Sequence, residues 1–206
     1  MSSPDLTPPE VVTRDSYDSI SSEWESGHQK PFWQDEFKKL QELLPEGSVI
    51  EAGCGAGRDA TTLIELGYGY FGTDVSEGMV EYAQKANPEG QFAALSVYDL
   101  EPSHSFDAFW CAATLIHVPK KRMNEALRAL KGTIITKGLG FISVKEGVGE
   151  GMEVRDELGG NEFFFTYYGQ EEFEGVLERN SLEVISFRRQ FVSSRTTWLI
   201  YLLRNS

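Results

Sequence analysis

From Ser48 onward the chain alternates between two apolar rhythms. Short runs at 48–53, 68–74, 91–99, 106–114, 138–146, 181–192 and 196–204 are dense in Val, Ile, Phe, Tyr and Ala. Between them, at 58–67, 76–86, 120–132 and 169–180, apolar residues return every third or fourth position with charged residues in the gaps. The first rhythm is that of strands buried in a sheet, the second that of helices with one covered face. Punctuation agrees with the period. Ser76 stands where an N-cap belongs, Asn87-Pro88 ends the helix it opens, and Gly67 and Gly132 lie where two other helices are expected to stop.

Before Ser48 the pattern is purely helical. Tyr17, Ile20 and Trp24 share a helical spacing that Gly27 closes, and Phe37, Leu40, Leu43 and Leu44 form a stripe behind Pro31. Residues 1–14, rich in Ser, Pro and Asp, are expected to be disordered. The domain proper is then 15–206, with 15–45 as capping helices.

Strands separated by helices require right-handed crossovers and a mainly parallel sheet. Only about three residues join the last two strands, too few for a crossover, so that pair is antiparallel. The expected fold is α/β, Rossmann-like and doubly wound. It has a mainly parallel seven-stranded sheet with an antiparallel last strand, and helices on both faces. One connection, 147–168, is long, glycine-rich and ends in Phe163, Phe164, Phe165, Tyr167 and Tyr168. Its length and aromatic end suit a lid or pocket wall; a hairpin packed on the sheet is the alternative.

Composition changes little of this picture. The 206 residues are enough for one domain with a real core, and 40% hydrophobic and 25% charged residues are ordinary for a globular chain. Charge is more informative: 19 Lys and Arg against 32 Asp and Glu give a formal net charge of −13, which argues against a nucleic-acid partner. Cys54 and Cys111 form no disulfide framework and no zinc spacing, the first residues show no signal peptide, and no apolar run is long enough for a membrane span. A cytoplasmic setting is expected.

The chemistry starts at Val49–Ala60, VIEAGCGAGRDA. A strand runs into an acid and three alternate glycines, and then a helix begins. Such a corner lets a ligand approach the backbone, and the amides there favour a carboxylate or phosphate. A dinucleotide turn beginning at Gly53 would need a sixth-position glycine and meets Arg58 instead. Begun at Gly55, it meets the tolerated Ala60 but starts four residues past Glu51. At the next strand end stands Asp74, after the third strand Asp99, and the fourth strand reads FDAFWCAATLIHVP.

This ordered set resembles the class I S-adenosylmethionine-dependent methyltransferases, over nearly the whole chain from Tyr17 to Leu203. The resemblance implies S-adenosylmethionine as cofactor. Glu51 would orient the glycine corner, and Gly53, Gly55 and Gly57 would cradle the methionine part. Asp74, with Val75 beside it, would hold the ribose hydroxyls; Asp99 would accept from the adenine amino group, with Met79 and Leu100 covering the ring. Tyr17 and Trp24 would close over the cofactor. For several of these the plain alternative is core packing (Tyr17, Trp24, Met79) or a turn (Asp99).

Methyl transfer from an activated sulfonium needs positioning more than a protein nucleophile. A general base is needed only if the acceptor loses a proton; His117, Glu146 and Tyr168, with Tyr167, are the candidates. The sequence lacks the Asn/Asp-Pro-Pro-Tyr of amino-directed DNA enzymes, a Pro-Cys nucleophile and an acidic magnesium cluster. The expected reaction is metal-independent, on a small-molecule acceptor. A protein or peptide methyltransferase, and a non-catalytic or NAD-binding nucleotide protein, stay open beside it.

Overall fold

The computed structural model describes residues 6–21 and 32–206. Two helices, α1 (Pro8–Ile20) and α2 (Gln34–Leu43), precede the alternating part. There β1 (Ser48–Ala52), α3 (Arg58–Glu65), β2 (Gly69–Asp74), α4 (Glu77–Ala86), β3 (Gln91–Ala94), β4 (Phe106–Ala112), α5 (Met123–Thr133) and β5 (Ile134–Glu146) follow in order. A hairpin of β6 (Glu150–Arg155) and β7 (Asn161–Tyr168) comes next, then α6 (Gln170–Arg179), β8 (Leu182–Ser193) and β9 (Thr196–Asn205).

The sheet runs β3-β2-β1-β4-β5-β9-β8, and the hairpin joins it through β7. The first five strands are parallel, while β9 is antiparallel to both β5 and β8. This is the expected seven-stranded sheet with its antiparallel last strand. Strand order reverses at β1, which lies between β2 and β4, so the carboxyl end of β1 is where an open sheet leaves a crevice.

Each face of the sheet buries its own cluster. One holds Phe109, Leu127, Ile142, Phe173 and Tyr201 under α5 and α6; the other holds Trp33, Phe37, Leu63, Trp110 and Phe141 under α2 and α3. Trp110 of β4 is sandwiched between Phe37 of α2 (ring centroids 4.4 Å apart) and Phe141 of β5 (3.8 Å). Stacks of this kind contribute about 0.5–1.5 kcal/mol each beyond the burial itself. They fix a short helix that lacks a polar cap.

Four local expectations change. Helix α1 begins at Pro8, so the segment expected to be disordered to residue 14 is ordered from there. Its start is built from Thr7 and Glu10, whose carboxylate accepts from both the amide and the hydroxyl of Thr7. Distant anchors hold it down: the Ser16 hydroxyl donates to the Glu162 carbonyl, the Phe164 amide donates to Thr13 Oγ1, and Asp18 Oδ1 accepts from the Ser76 hydroxyl and the Gly78 amide. The third strand stops at Ala94, and Ser96 caps a 3₁₀ turn over Val97–Asp99. Gly132 lies inside α5 and does not end it; a Cβ there would meet Pro102 at a tight 3.2 Å. Finally, 147–168 is the β6/β7 hairpin packed on α1. It is a wall behind the helix and not a lid, because its apolar residues Phe163 and Phe165 are buried in the core. Trp24, Gly27 and Pro31 lie outside the described residues. Among the described residues no helix is long and apolar enough to cross a membrane.

Candidate functional site

A cavity of about 480 Å³ opens at the carboxyl ends of β1, β2 and β4, roofed by α1. That volume lies within the ordinary range of small-ligand sites.

Three glycines make its floor, each for a different reason. All have left-handed backbone, with φ of +75° at Gly53, +52° at Gly55 and +84° at Gly57. A Cβ on Gly53 would fall 2.0 Å from Thr114 Oγ1, and one on Gly57 would fall 2.6 Å from the Asn87 side chain. These two permit close packing against the β4 loop and α4. A Cβ on Gly55 would meet no atom within 4 Å, although the residue lines the cavity. Gly55 therefore leaves bare backbone facing open space.

Asp74 binds this loop to the next strand end. Its Oδ2 accepts from the Gly55 amide and its Oδ1 from the Ser76 amide, each at 2.9 Å. A carboxylate has about four acceptor positions, so two remain for a ligand. Burial pushes its pKa up, while the Ser76 and Gly55 amides pull it back. Glu51, at the end of β1, is buried and accepts from the Tyr70 hydroxyl. Burial first, and the Asp59 carboxylate second, hold its carboxyl well above the usual range. Arg58, the residue that broke the dinucleotide pattern, lines the cavity and pairs through Nε with Asp59 at 2.7 Å; Asp59 in turn accepts from Trp110 Nε1.

At the α1 end, Tyr17 and His117 meet. His117 Nδ1 lies 2.6 Å from the Phe164 carbonyl, which can only accept, so Nδ1 carries the hydrogen. Nε2 then presents a lone pair, and the Tyr17 hydroxyl, 3.0 Å away, donates to it. Burial lowers the pKa of His117 to about 4. The unfolded histidine titrates near 6.5, so between these values the unfolded chain binds a proton that the native one refuses. Stability is then fully present above that window and is lost as pH falls through it. Denaturant unfolding should show a loss of about 2 kcal/mol from this residue between about pH 7 and pH 5, and His117→Gln should abolish that share. Equal slopes in the two proteins would refute the neutral tautomer.

The expected residues divide sharply. Tyr17, Glu51, Gly53, Gly55, Gly57, Asp74, Val75, Met79 and His117 all line the cavity. Asp99 and Leu100 do not; Asp99 is exposed at the end of the 3₁₀ turn, and Ser96 and Val97 stand at the cavity in its place. Glu146 is paired with Arg189 at the rim of the sheet, and Tyr168 is buried against Phe173 beneath Lys120. Neither is at the cavity. Sequence reasoning missed Glu10, Thr13 and Arg14 of α1, together with Tyr98, whose hydroxyl donates to Glu10. The Thr7/Glu10 capping spacing was the one signal that could have placed that helix earlier.

Comparison with known proteins fits this geometry. Residues 49–138 match a family described as a methyltransferase domain. No curated protein matches the sequence. Among solved structures, the chain is similar to the Burkholderia thailandensis 1,6-didemethyltoxoflavin-N1-methyltransferase, with its substrate and S-adenosylhomocysteine bound. Identity is 20%, over 100% of this chain and 93% of that one, with a TM-score of 0.73. The magnesium protoporphyrin IX methyltransferase of Synechocystis PCC 6803, with bound SAM, shows 17% identity over 98% and 100% of the two chains, at a TM-score of 0.70. DhpI in its SAH complex shows 17% identity over 96% and 97%, at 0.76.

Proposed function

We propose that this chain, whose residues 49–138 match a methyltransferase domain family, is a class I, S-adenosylmethionine-dependent methyltransferase that methylates a small-molecule acceptor without a metal ion. The observation that carries the reading is the bare Gly55 backbone facing the cavity beside the half-buried carboxylate of Asp74, which two backbone amides only half satisfy.

The residues fit the cofactor from end to end. Asp74 keeps two acceptor positions for two ribose hydroxyls. The N-terminus of α3 and Arg58 favour the carboxylate of the methionine part, and the Gly53–Gly57 loop admits its chain. Val75, Met79 and Val97 supply an apolar slot for the base, with Ser96 taking the polar position expected of Asp99. When bound, S-adenosylmethionine supplies a methyl group on a positively charged sulfur, ready for displacement.

What the protein adds is position and dryness. Tyr17 and His117, with Ala113, Thr114 and Val118, form the wall where the acceptor would stand. His117 is a poor base, because its only lone pair is engaged by Tyr17 and burial weakens its hold on a proton. We assign it to holding Tyr17 in place. Glu146, paired with Arg189, and Tyr168, buried against Phe173, do not line the cavity and do not serve in its stead. The reading is therefore catalysis by alignment, which can supply roughly 7–11 kcal/mol. The acceptor presents its own lone pair and loses any proton to solvent. The planar heterocyclic substrates named for two of the similar structures agree with an aromatic-walled site.

Isothermal titration with S-adenosylhomocysteine and with NADH tests the assignment. S-adenosylhomocysteine is expected to bind and NADH not to. The opposite result would make this a dinucleotide protein, and release of S-adenosylhomocysteine from fractionated metabolite pools would then be absent.

A further inference from the structure

Near its end β5 carries a lysine where the inside of a sheet ordinarily holds an apolar side chain. Lys145 is only 5% exposed, one residue before the carboxyl end of the strand, opposite Trp198 of β9 and Tyr167 of β7. Its ammonium lies 4.0 Å from the centre of the Phe165 ring and 6.0 Å from that of Trp198. Among the described residues it makes no hydrogen bond and no ion pair. The nearest acids are engaged elsewhere: Glu153 accepts from the Tyr167 hydroxyl and pairs with Arg155, and Glu157 pairs with Arg155. Arg155 itself stands 5.0 Å from the same Phe165 ring, and the His117 ring lies 5.0 Å from it on another side.

A buried ammonium whose direct contacts are rings is expensive unless something pairs with it. Burial, and next Arg155, lower its pKa to about 8, which still leaves it mostly charged at neutral pH. The Glu153 and Glu157 carboxylates offset part of that cost from a distance, but neither bonds the ammonium, which is left without a direct partner at this depth.

Its address supplies the explanation. Lys145 stands behind the cavity wall and not on it: the Phe165 ring under its ammonium packs against His117, which lines the cavity, and Lys145 shares a face of β5 with Ser143, whose hydroxyl accepts from the amide of Ala113, another residue of that wall. Two residues along a strand span about 7 Å, the reach of one aromatic ring with a substituent. Arg155 and Tyr167, its neighbours across the strand ends, line an open cleft of about 470 Å³.

We propose that Lys145 determines the specificity of the acceptor site by pairing with a carboxylate, so that the methyl acceptor is a small aromatic acid whose ring lies along Phe165 and Trp198. The proposal rests on the methyltransferase reading for what the acid is used for, and on Lys145 alone for its being an acid. The full chain saturated with S-adenosylhomocysteine is titrated with benzoate, 4-hydroxybenzoate and indole-3-acetate, each against its carboxamide. The acids are expected to bind at least about tenfold more tightly than the amides, in keeping with a desolvated charged pair. Lys145→Met, which keeps an unbranched apolar stem and removes the charge, should abolish that preference and leave S-adenosylhomocysteine affinity unchanged; Lys145→Arg should retain it. If the native protein shows no preference for acids, or Lys145→Met keeps one, the proposal is wrong while the methyltransferase reading stands. The native comparison decides even if the methionine variant does not fold. If S-adenosylhomocysteine fails to bind but acids still depend on Lys145, the methyltransferase reading falls and the anion site remains.

Discussion

Asp74→Ala is expected to weaken S-adenosylhomocysteine binding by at least about a hundredfold, while Asp99→Ala changes it by less than about twofold. The asymmetry follows from position. Asp74 lines the cavity and has half of its acceptor capacity left after bonding the Gly55 and Ser76 amides, whereas Asp99 is exposed outside it. Each hydrogen bond to a charged group contributes about 1.5–3 kcal/mol, so losing two suffices for the effect. Asp74 also holds the loop together, and alanine there lowers stability as well. Asp74→Asn separates the two roles, since the amide still accepts at one atom. Calorimetric titration with melting curves on all three variants reads both. Tight binding by a folded Asp74→Ala protein would remove the ribose assignment.

The second large effect is a contrast between neighbouring glycines. Gly53→Ala should cost about 3 kcal/mol or more, since left-handed backbone alone costs about 1–2 kcal/mol and the new methyl collides with Thr114. For a chain of this size that is a fall in melting temperature of about 6–12 °C. Gly55→Ala bears the backbone strain without the collision, so its stability should fall by only about 1–2 kcal/mol. Its methyl enters the cavity, however, and cofactor affinity should drop with it. Equal melting temperatures for the two variants would mean that the floor of the cavity is not packed on Thr114 as described.

Arg58 shows how far register alone can go. Its presence at the sixth position of the glycine corner argued against a dinucleotide turn, and the structure places it on the cavity wall, paired with Asp59. Asp99 shows where register fails. The apolar pattern runs on to residue 99, but the strand stops at Ala94, Ser96 caps a 3₁₀ turn, and Asp99 is left exposed at its end. Nothing in the local apolar pattern marks that early stop.

What the sequence by itself determined is what neighbouring residues decide: the alternation of strands and helices, the Ser76 cap, the antiparallel closing pair and a glycine corner behind an acid. Period, capping and positive φ are constraints within a few residues of chain. Only the tertiary structure decided the rest. Helix α1 is ordered because Thr13 and Ser16 meet β7 across sequence separations of 151 and 146. The tautomer of His117 is set by a carbonyl 47 residues on. Lys145 is buried by rings from β7 and β9 that no spacing in the sequence connects to it. In each case a side chain's chemistry is fixed by what desolvates it and what it can pair with, and those partners come from distant segments that folding brings together.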